Sequence, residues 1–412
     1  MSVCSFVSSF SSLRSAVRLL VWAGSAAILG SLLSCAAPEP LPDRAPPVIT
    51  VTPSPSVVAV VPPPVAAPAG PVRATARGRW VAADWSALPG WNEDAVLLAW
   101  PALLKSCDRP APGWAGACSG ARALGPAADE RQVRGFLQQA LQPWRVENLD
   151  GQSDGLITGY FEPLVEAVRA PGGKFTVPLY GPPPDLAQRK PWFTRAQIDS
   201  QPEAQAALKG REVAWVADPL DALLLQIQGS GRLAITEAGG QRRVVRVAYA
   251  GHNDQPYQSI GRWLVDQGAF TLEQANWPAI RNWARANPQR VREMLAANPR
   301  YVFFREEALP DPTVGPLGAQ GVALTPGRSI AVDKDSIPYG TPVWVATTEP
   351  QPWAPIAPTP RPLQRLMLAQ DTGSAITGAV RADYFWGWGD GAEDRAGRMK
   401  QPLRMWVLWP RS

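Results

Sequence analysis

The stretch LMLAQDTGSAITGAVRADYFWGWGDGAEDRAGRMKQPLRMWVLW, Leu366 to Trp409, decides how the chain is read. An apolar run, Leu366 to Ala369, closes on an acid, Asp371, and a turn containing Gly373 and Gly378 leads to a second acid, Asp383. Tyr384, Phe385, Trp386 and Trp388 follow it directly. A carboxyl packed among aromatic rings loses the hydration its charged form needs, so its pKa is expected to rise toward that of a working general acid. Asp383 is therefore the candidate catalytic residue, with a solvated acid beside a tryptophan cluster as the competing reading of the residues alone. Asp371, at a strand end before Thr-Gly, also fits a turn cap made through its side chain.

Upstream of this stretch, Val322 to Ala346 is β-rich and a Pro-rich insertion spans Pro350 to Pro362. Further back, Leu233 to Tyr249 reads as a hairpin turning at EAGGQ, and Ala222 to Gln228 as an apolar strand stopping at Gly229-Ser230-Gly231. GLITGYFEPLVEAVR, Gly155 to Arg169, reads as a strand pair or a bulged strand. Helical spacing marks Trp85–Leu104, Asp129–Leu141 with Asp129 as cap, Arg195–Leu208, Ser259–Gln267, Leu272–Asn287 and Gln289–Asn298. Short strands with Gly/Pro turns argue for small barrels rather than a βαβ sheet. Gly229-Ser230-Gly231-Arg232-Leu233-Ala234 fits a loose dinucleotide fingerprint, but that fingerprint must open a helix, and hairpin residues follow here.

The N-terminus reads as an address. Arg14 and Arg18 precede an apolar run, Leu19 to Leu33, that is short for a membrane span and right for a signal peptide. Leu32-Leu33-Ser34-Cys35 resembles a bacterial lipobox, with Cys35 as the acylated residue and 1–35 removed or modified. Ala36 follows, with no Asp to hold the protein at the inner membrane, so the periplasmic face of the outer membrane is the expected location. Residues 36–78, rich in Pro, Ala and Val, read as a semi-rigid tether, and the folded part is expected to start at Arg79.

Composition narrows the function classes. The formal charge of +5 includes the two signal arginines, and no block of Lys or Arg points to nucleic acid. Cys107 and Cys118 are read as a disulfide in an oxidising compartment. With one His (His252), a zinc site lacks ligands, and no P-loop or Ser-centred nucleophile elbow is present. No metal or other cofactor is expected. Eighteen Trp against ten Phe and seven Tyr supply flat indole faces of the kind that suit sugar rings, although most are expected in the core.

Six motifs, GYFEP, QIQGSGR, YAGHNDQPYQSIGRWL, NPRYVFF, GVALTPGRSIAVDKDSIPYGTPVWV and AQDTGSAITGAVRADYFWGWG, together resemble the membrane-bound lytic murein transglycosylase A family over about Trp80 to Trp409. The resemblance implies a mainly β fold with some helices: a double-psi β-barrel, 79–163 and 309–412, carrying an inserted β-rich, barrel-like domain, 164–308, with a sugar groove between them. It implies cleavage of the β-1,4 bond between N-acetylmuramic acid and N-acetylglucosamine, leaving a 1,6-anhydro end. Asp383 matches the family's single acid/base. Asp371 falls on an acidic position of the motif, as an orienting carboxylate or a structural one. Thr158 and Tyr160 are expected at the groove edge, and Gln228, Ser230 and Arg232 on a turn where glycine lets the backbone approach a ligand. Arg232 could reach a substrate carboxylate or pair with Asp or Glu.

Partners implied are peptidoglycan strands and the outer membrane, with nothing to identify proteins of the wall synthesis or division machinery. Two other readings stand beside this one. A glycoside hydrolase would use water and a second carboxylate, Asp371. A non-catalytic, expansin-like wall-binding module would use the barrel without turnover.

Overall fold

The computed structural model describes residues 70–352, 359–389 and 391–411; the signal segment, Cys35 and most of the tether lie outside them. Strands β1 (Val72–Ala74), β2 (Gly78–Ala82), β3 (Leu141–Asn148) and β4 (Gly155–Tyr160) come first. The middle of the chain supplies β5 (Leu164–Val168), β6 (Val177–Tyr180), β7 (Glu212–Val216), β8 (Ser230–Thr236), β9 (Arg242–His252) and β10 (Val302–Glu307). The last part supplies β11 (Ser329–Val332), β12 (Pro342–Thr348), β13 (Pro362–Asp371), β14 (Arg381–Phe385) and β15 (Lys400–Pro410). Helices α1 (Trp100–Ser106), α2 (Ala115–Leu124) and α3 (Glu130–Ala140) separate β2 from β3. The middle segment holds α4 (Arg195–Ile198), α5 (Pro202–Leu208), α6 (Pro219–Gln228), α7 (Ile260–Asp266), α8 (Trp277–Ala286) and α9 (Val291–Ala296), and α10 (Ala392–Arg398) precedes β15.

The first and last strands share one sheet that closes on itself. β15 pairs with β4 along Lys400–Leu403 and with β12 along Arg404–Val407, so the order β4–β14–β11–β13–β12–β15 returns to β4. Two of these pairings, β11 with β13 and β14 with β4, are parallel. A closed six-strand ring of mixed pairing fits the double-psi expectation, and closure leaves the ring without exposed edges. Alternate residues point inward, as a period of two dictates: Ile157, Ile330, Val332, Val343, Met367, Ala382, Tyr384 and Met405 are buried in one core. β5 to β10 form a separate sheet in the order β10–β9–β8–β5–β7–β6, with its own core of Val165, Leu179, Val216, Leu233, Val245 and Phe304.

Several expectations change. The run Ala222–Gln228 is not a strand but the body of α6; Asp218 accepts the Leu220 amide at 2.8 Å and Pro219 opens the first turn. Leu and Gln extend a helix readily once it is capped, and Gly229 stops it in the left-handed region at φ 78°. GLITGYFEPLVEAVR does contain two strands, but they do not pair: β4 belongs to the ring and β5 to the second sheet, so the chain changes sheet at Glu162-Pro163. The tether ends earlier than read, because β1 already pairs with β2 from Val72↔Val81 to Ala74↔Arg79. The folded part thus begins by Val72. Leu272 lies outside α8, whose first turn starts at Trp277 behind an Asn276 cap.

The helices α1 to α3 cover the ring from outside, burying Leu103, Trp114, Val133 and Leu137 against Trp344, Leu366 and Leu408. Asp129 caps α3 with a reciprocal bond to Gln132. Cys107 and Cys118 are joined in a disulfide between α1 and α2, with Cα atoms 5.3 Å apart. Closing so short a loop restricts the unfolded chain, so the paired Cys107→Ser/Cys118→Ser variant is expected to lose about 2–3 kcal/mol in denaturant unfolding. An unchanged midpoint would show the helices hold their place without the bridge.

Candidate active site

The two acids of the opening stretch meet on the outer face of the ring. Register places Asp371 on β13, Ala331 on β11, Asp383 on β14 and Thr158 on β4 in one row across four adjacent strands. Strict alternation would send Asp371 inward with Ala369. The register between β11 and β13 instead steps from Ile330↔Ala369 to Ala331↔Asp371, skipping Gln370, and this irregularity turns Asp371 to the face that carries Asp383. Ala331, small and buried, stands between them in the row. Two strand spacings put their backbones roughly 10 Å apart.

Asp383 is half-buried, and its surroundings differ from the aromatic cradle expected for it. Tyr384 points into the ring, where Arg365 donates to its hydroxyl at 2.8 Å, and Trp386 packs with it at 4.4 Å between ring centroids. Phe385 shares the acid's face, tilted against Tyr160 at 5.1 Å and with Trp388 beside it at 6.4 Å between centroids. Burial is the main force that pushes the Asp383 carboxyl up to about 6. A hydrogen bond from Thr158 Oγ1 to Oδ1 at 2.7 Å and the Arg381 cation oppose the rise, and the neighbouring Asp371 charge adds to it. Arg381 in turn donates to Thr158 Oγ1 at 2.8 Å, so cation, hydroxyl and carboxyl form a short chain. Oδ1 is held by this chain, whereas Oδ2 has no hydrogen-bond partner among the described residues. A proton on Asp383 therefore belongs on Oδ2.

Asp371 is engaged at both oxygens. Tyr160 donates to Oδ2 at 2.9 Å and the Ala319 amide to Oδ1 at 2.9 Å. Burial raises its pKa, and the two donors and the Thr372 amide pull against that. Burial and the two carboxylates hold the Tyr160 hydroxyl in its neutral, donating form. Gly159 lies between Thr158 and Tyr160 on the opposite face, where a Cβ would come within 2.8 Å of Trp386 Nε1 and 2.9 Å of the Ala396 Cα. Glycine at this position lets α10 press on β4 and hold the two hydroxyl-bearing residues in place.

The other expected residues tie the second sheet to this wall. Gln228 Oε1 accepts the Phe161 amide at 3.0 Å, fixing the end of α6 against the chain as it leaves β4. Ser230 is half-buried at the start of β8. Arg232 is not free to reach a substrate carboxylate: its side chain is 8% exposed, donates to Glu162 Oε2 at 2.8 Å and stacks over Trp388 at 4.1 Å. Glu162 and Arg246, which sequence reasoning missed, complete this cluster, with Arg246 Nε donating to Glu162 Oε1 at 2.5 Å and Nη2 to the Val314 carbonyl. The signal was present in GYFEP as an acid between Phe and Pro at the change of sheet. Among the described residues no group of three or more His, Cys, Asp or Glu is gathered to hold a metal.

Removing the charge at the far end of the chain of donors isolates its effect. In Arg381→Gln the Asp383 pKa is expected to rise further, because a cation that favours the carboxylate is gone. The alkaline limb of the rate–pH profile should shift upward, with a loss of less than about tenfold at pH 5. An unmoved limb would detach Arg381 from the acid.

Residues 156–305 match the family described as the MltA specific insert domain and residues 328–409 the 3D domain. The chain is 32% identical over 278 residues to the membrane-bound lytic murein transglycosylase A of Vibrio cholerae, covering 66% of this chain and 70% of that one. Lytic transglycosylase LtgG of Burkholderia pseudomallei superposes with a TM-score of 0.54 at 46% identity, over 83% of this chain and 98% of that one. MltA of Escherichia coli with bound chitohexaose gives a TM-score of 0.61 at 27% identity, over 76% and 90%. On this sequence likeness, with the fold and the two matched regions, the chain belongs to the membrane-bound lytic murein transglycosylase A family, enzymes that cleave peptidoglycan.

Proposed function

We propose that Asp383 alone serves as acid and then base, and that the products carry 1,6-anhydro-N-acetylmuramic ends. The observation that carries this reading is the asymmetry of the two acids: Asp383 has one oxygen held and one free, with its pKa raised to about 6, while both oxygens of Asp371 are taken. Protonated Oδ2 gives its proton to the leaving O4 as the bond to the muramyl C1 breaks. The resulting carboxylate takes the proton of the same sugar's C6 hydroxyl as that oxygen closes on C1. No second carboxylate is needed, because the substrate supplies its own nucleophile. Asp371 holds Tyr160 in place beside the acid. Glycan binding in the relative that carries chitohexaose supports a sugar chain as the ligand of this face. Cys35 is proposed as the lipid anchor to the outer membrane, with 79–163 and 309–412 as the catalytic domain, lengthened at its start by β1, and 164–308 as the groove's second wall.

Mass spectrometry of muropeptides, after incubating the chain from Gly70 with purified peptidoglycan, tests the reaction. Anhydro ends are expected. Reducing ends would make this a hydrolase and Asp371 the second carboxylate, and binding with no products would leave a wall-binding module.

A further inference from the structure

A cavity of about 1000 Å³ opens in the 164–308 segment, between β6, the α4–α5 pair, α6 and α9. Every residue lining it lies between Thr176 and Tyr301, so it shares no wall with the strands that carry Asp371 and Asp383. Its floor is Arg195, only 5% exposed, lying over the Tyr301 ring at 5.1 Å. The guanidinium donates to the Asn298 carbonyl at 3.1 Å, the Arg300 carbonyl at 2.7 Å and Gln226 Oε1, all uncharged acceptors. Its Nη1 has no hydrogen-bond partner among the described residues, and no carboxylate lies within 4.0 Å of it. Buried cations are ordinarily paired, since an unpaired one gives up its hydration for too little in return.

The rim repeats the pattern. Lys209 and Arg292 are exposed there beside Asp199 and Glu212, and none of the four makes an ion pair among the described residues. Arg292 instead donates to the Asp199 backbone carbonyl at 3.1 Å. A buried cation with spare donors calls for an anion. Two acids at the mouth disfavour a polyanion and favour a ligand that brings an ammonium group as well. The remaining walls, Val177, Ile198 and Leu295, are apolar and suit small aliphatic side chains. The volume falls at the upper end of ordinary small-ligand pockets.

We propose that this cavity is a peptide-binding site, taking a short zwitterionic peptide whose terminal carboxylate meets Arg195 and whose ammonium group meets the acids of the rim. Given the murein reading on which this identification rests, the peptide is the stem carried by the wall polymer. The glycan would then be held at the ring and its peptide at the insert.

The test is calorimetric titration of the full-length Asp383→Asn chain in detergent with free L-Ala-γ-D-Glu-meso-diaminopimelyl-D-Ala. Saturable one-to-one binding is expected. It should weaken at least about tenfold in an Asp199→Asn/Glu212→Gln background, and likewise for the peptide with its C-terminal carboxylate amidated. Arg195→Gln should abolish it, with the rim pair carrying the test where that variant does not fold. Absence of saturable heat, equal affinity for acid and amide, or displacement by inorganic phosphate would each overturn the proposal. Peptide binding as expected from a chain whose wild type yields no anhydro ends would leave the pocket standing and the catalytic reading fallen. Anhydro ends without peptide binding would do the reverse.

Discussion

Asp383→Asn is expected to lower glycan cleavage about 1,000-fold, within the range attributable to a positioned general acid, while chitohexaose binding stays within about threefold of wild type. The amide keeps the shape of the side chain and its bond with Thr158, but the NH2 at the position of Oδ2 carries no acidic proton to transfer. Single-turnover cleavage of peptidoglycan and equilibrium binding of chitohexaose read the two effects separately. Retained turnover would remove Asp383 from the chemistry. Wild-type activity should fall as pH rises through about 6, because the acid must be protonated to act. The same raised pKa has a stability sign. Folding favours the protonated carboxyl, so the contribution is fully present below the unfolded value near 3.8 and is lost as pH rises through about 6. Asp383→Asn should therefore melt higher than wild type at pH 7.5, with the gain disappearing near pH 4. An inactive variant that is also less stable at pH 7.5 would point to a damaged fold rather than a missing proton.

The largest stability effect is expected at Glu162. Arg232 and Arg246 stand directly opposite each other on β8 and β9, a like-charge pairing that a sheet tolerates poorly. Each donates through Nε to one oxygen of Glu162, whose side chain is fully buried, and Arg246 also holds the Val314 carbonyl. The carboxylate thus joins the chain where it leaves β4, two strands of the second sheet and the segment that returns to the ring. Glu162→Gln keeps the volume but leaves two buried guanidinium groups facing each other, at a cost of about 3–5 kcal/mol. Urea unfolding should show a lower midpoint. The double variant Glu162→Gln/Arg246→Met should recover part of the loss, since it removes the repulsion. A single variant within about 0.5 kcal/mol of wild type would mean the cluster is solvated in solution.

The β-rich character of the ring segments was legible because alternation and Gly/Pro turns are local signals, whereas the barrel itself came only as what the family resemblance implied. The change of sheet at Glu162-Pro163 was not, since two β-rich runs one short step apart look the same whether they pair with each other or not. α6 was misread because ALLLQIQ is a short, mostly apolar run, a pattern that fits a buried strand or a buried helix. Asp218-Pro219 ahead of it was the deciding cue. At the site, Asp383 stood out through the aromatic residues that follow it, yet the group it bonds is Thr158, 225 residues away, with Arg381 behind that hydroxyl. In a strand, adjacent residues face opposite ways, so Tyr384 and Trp386 share the face that points away from the acid. The turn of Asp371 outward depends on one skipped residue in the register, which no composition announces.

The order in which strands lie in the ring also sets when the enzyme can exist. Thr158 and Asp383 are 225 residues apart in the chain, and β14 reaches its place between β4 and β11 only after the whole 164–308 segment has intervened. Joining ends so distant costs about 5 kcal/mol of loop entropy before any contact repays it, which makes closure a late and slow event. A chain still being synthesised, or passing unfolded through a membrane, has no hydroxyl beside its acid and no wall for its glycan. A protein able to cut the envelope is in this way harmless until its last strands are in hand.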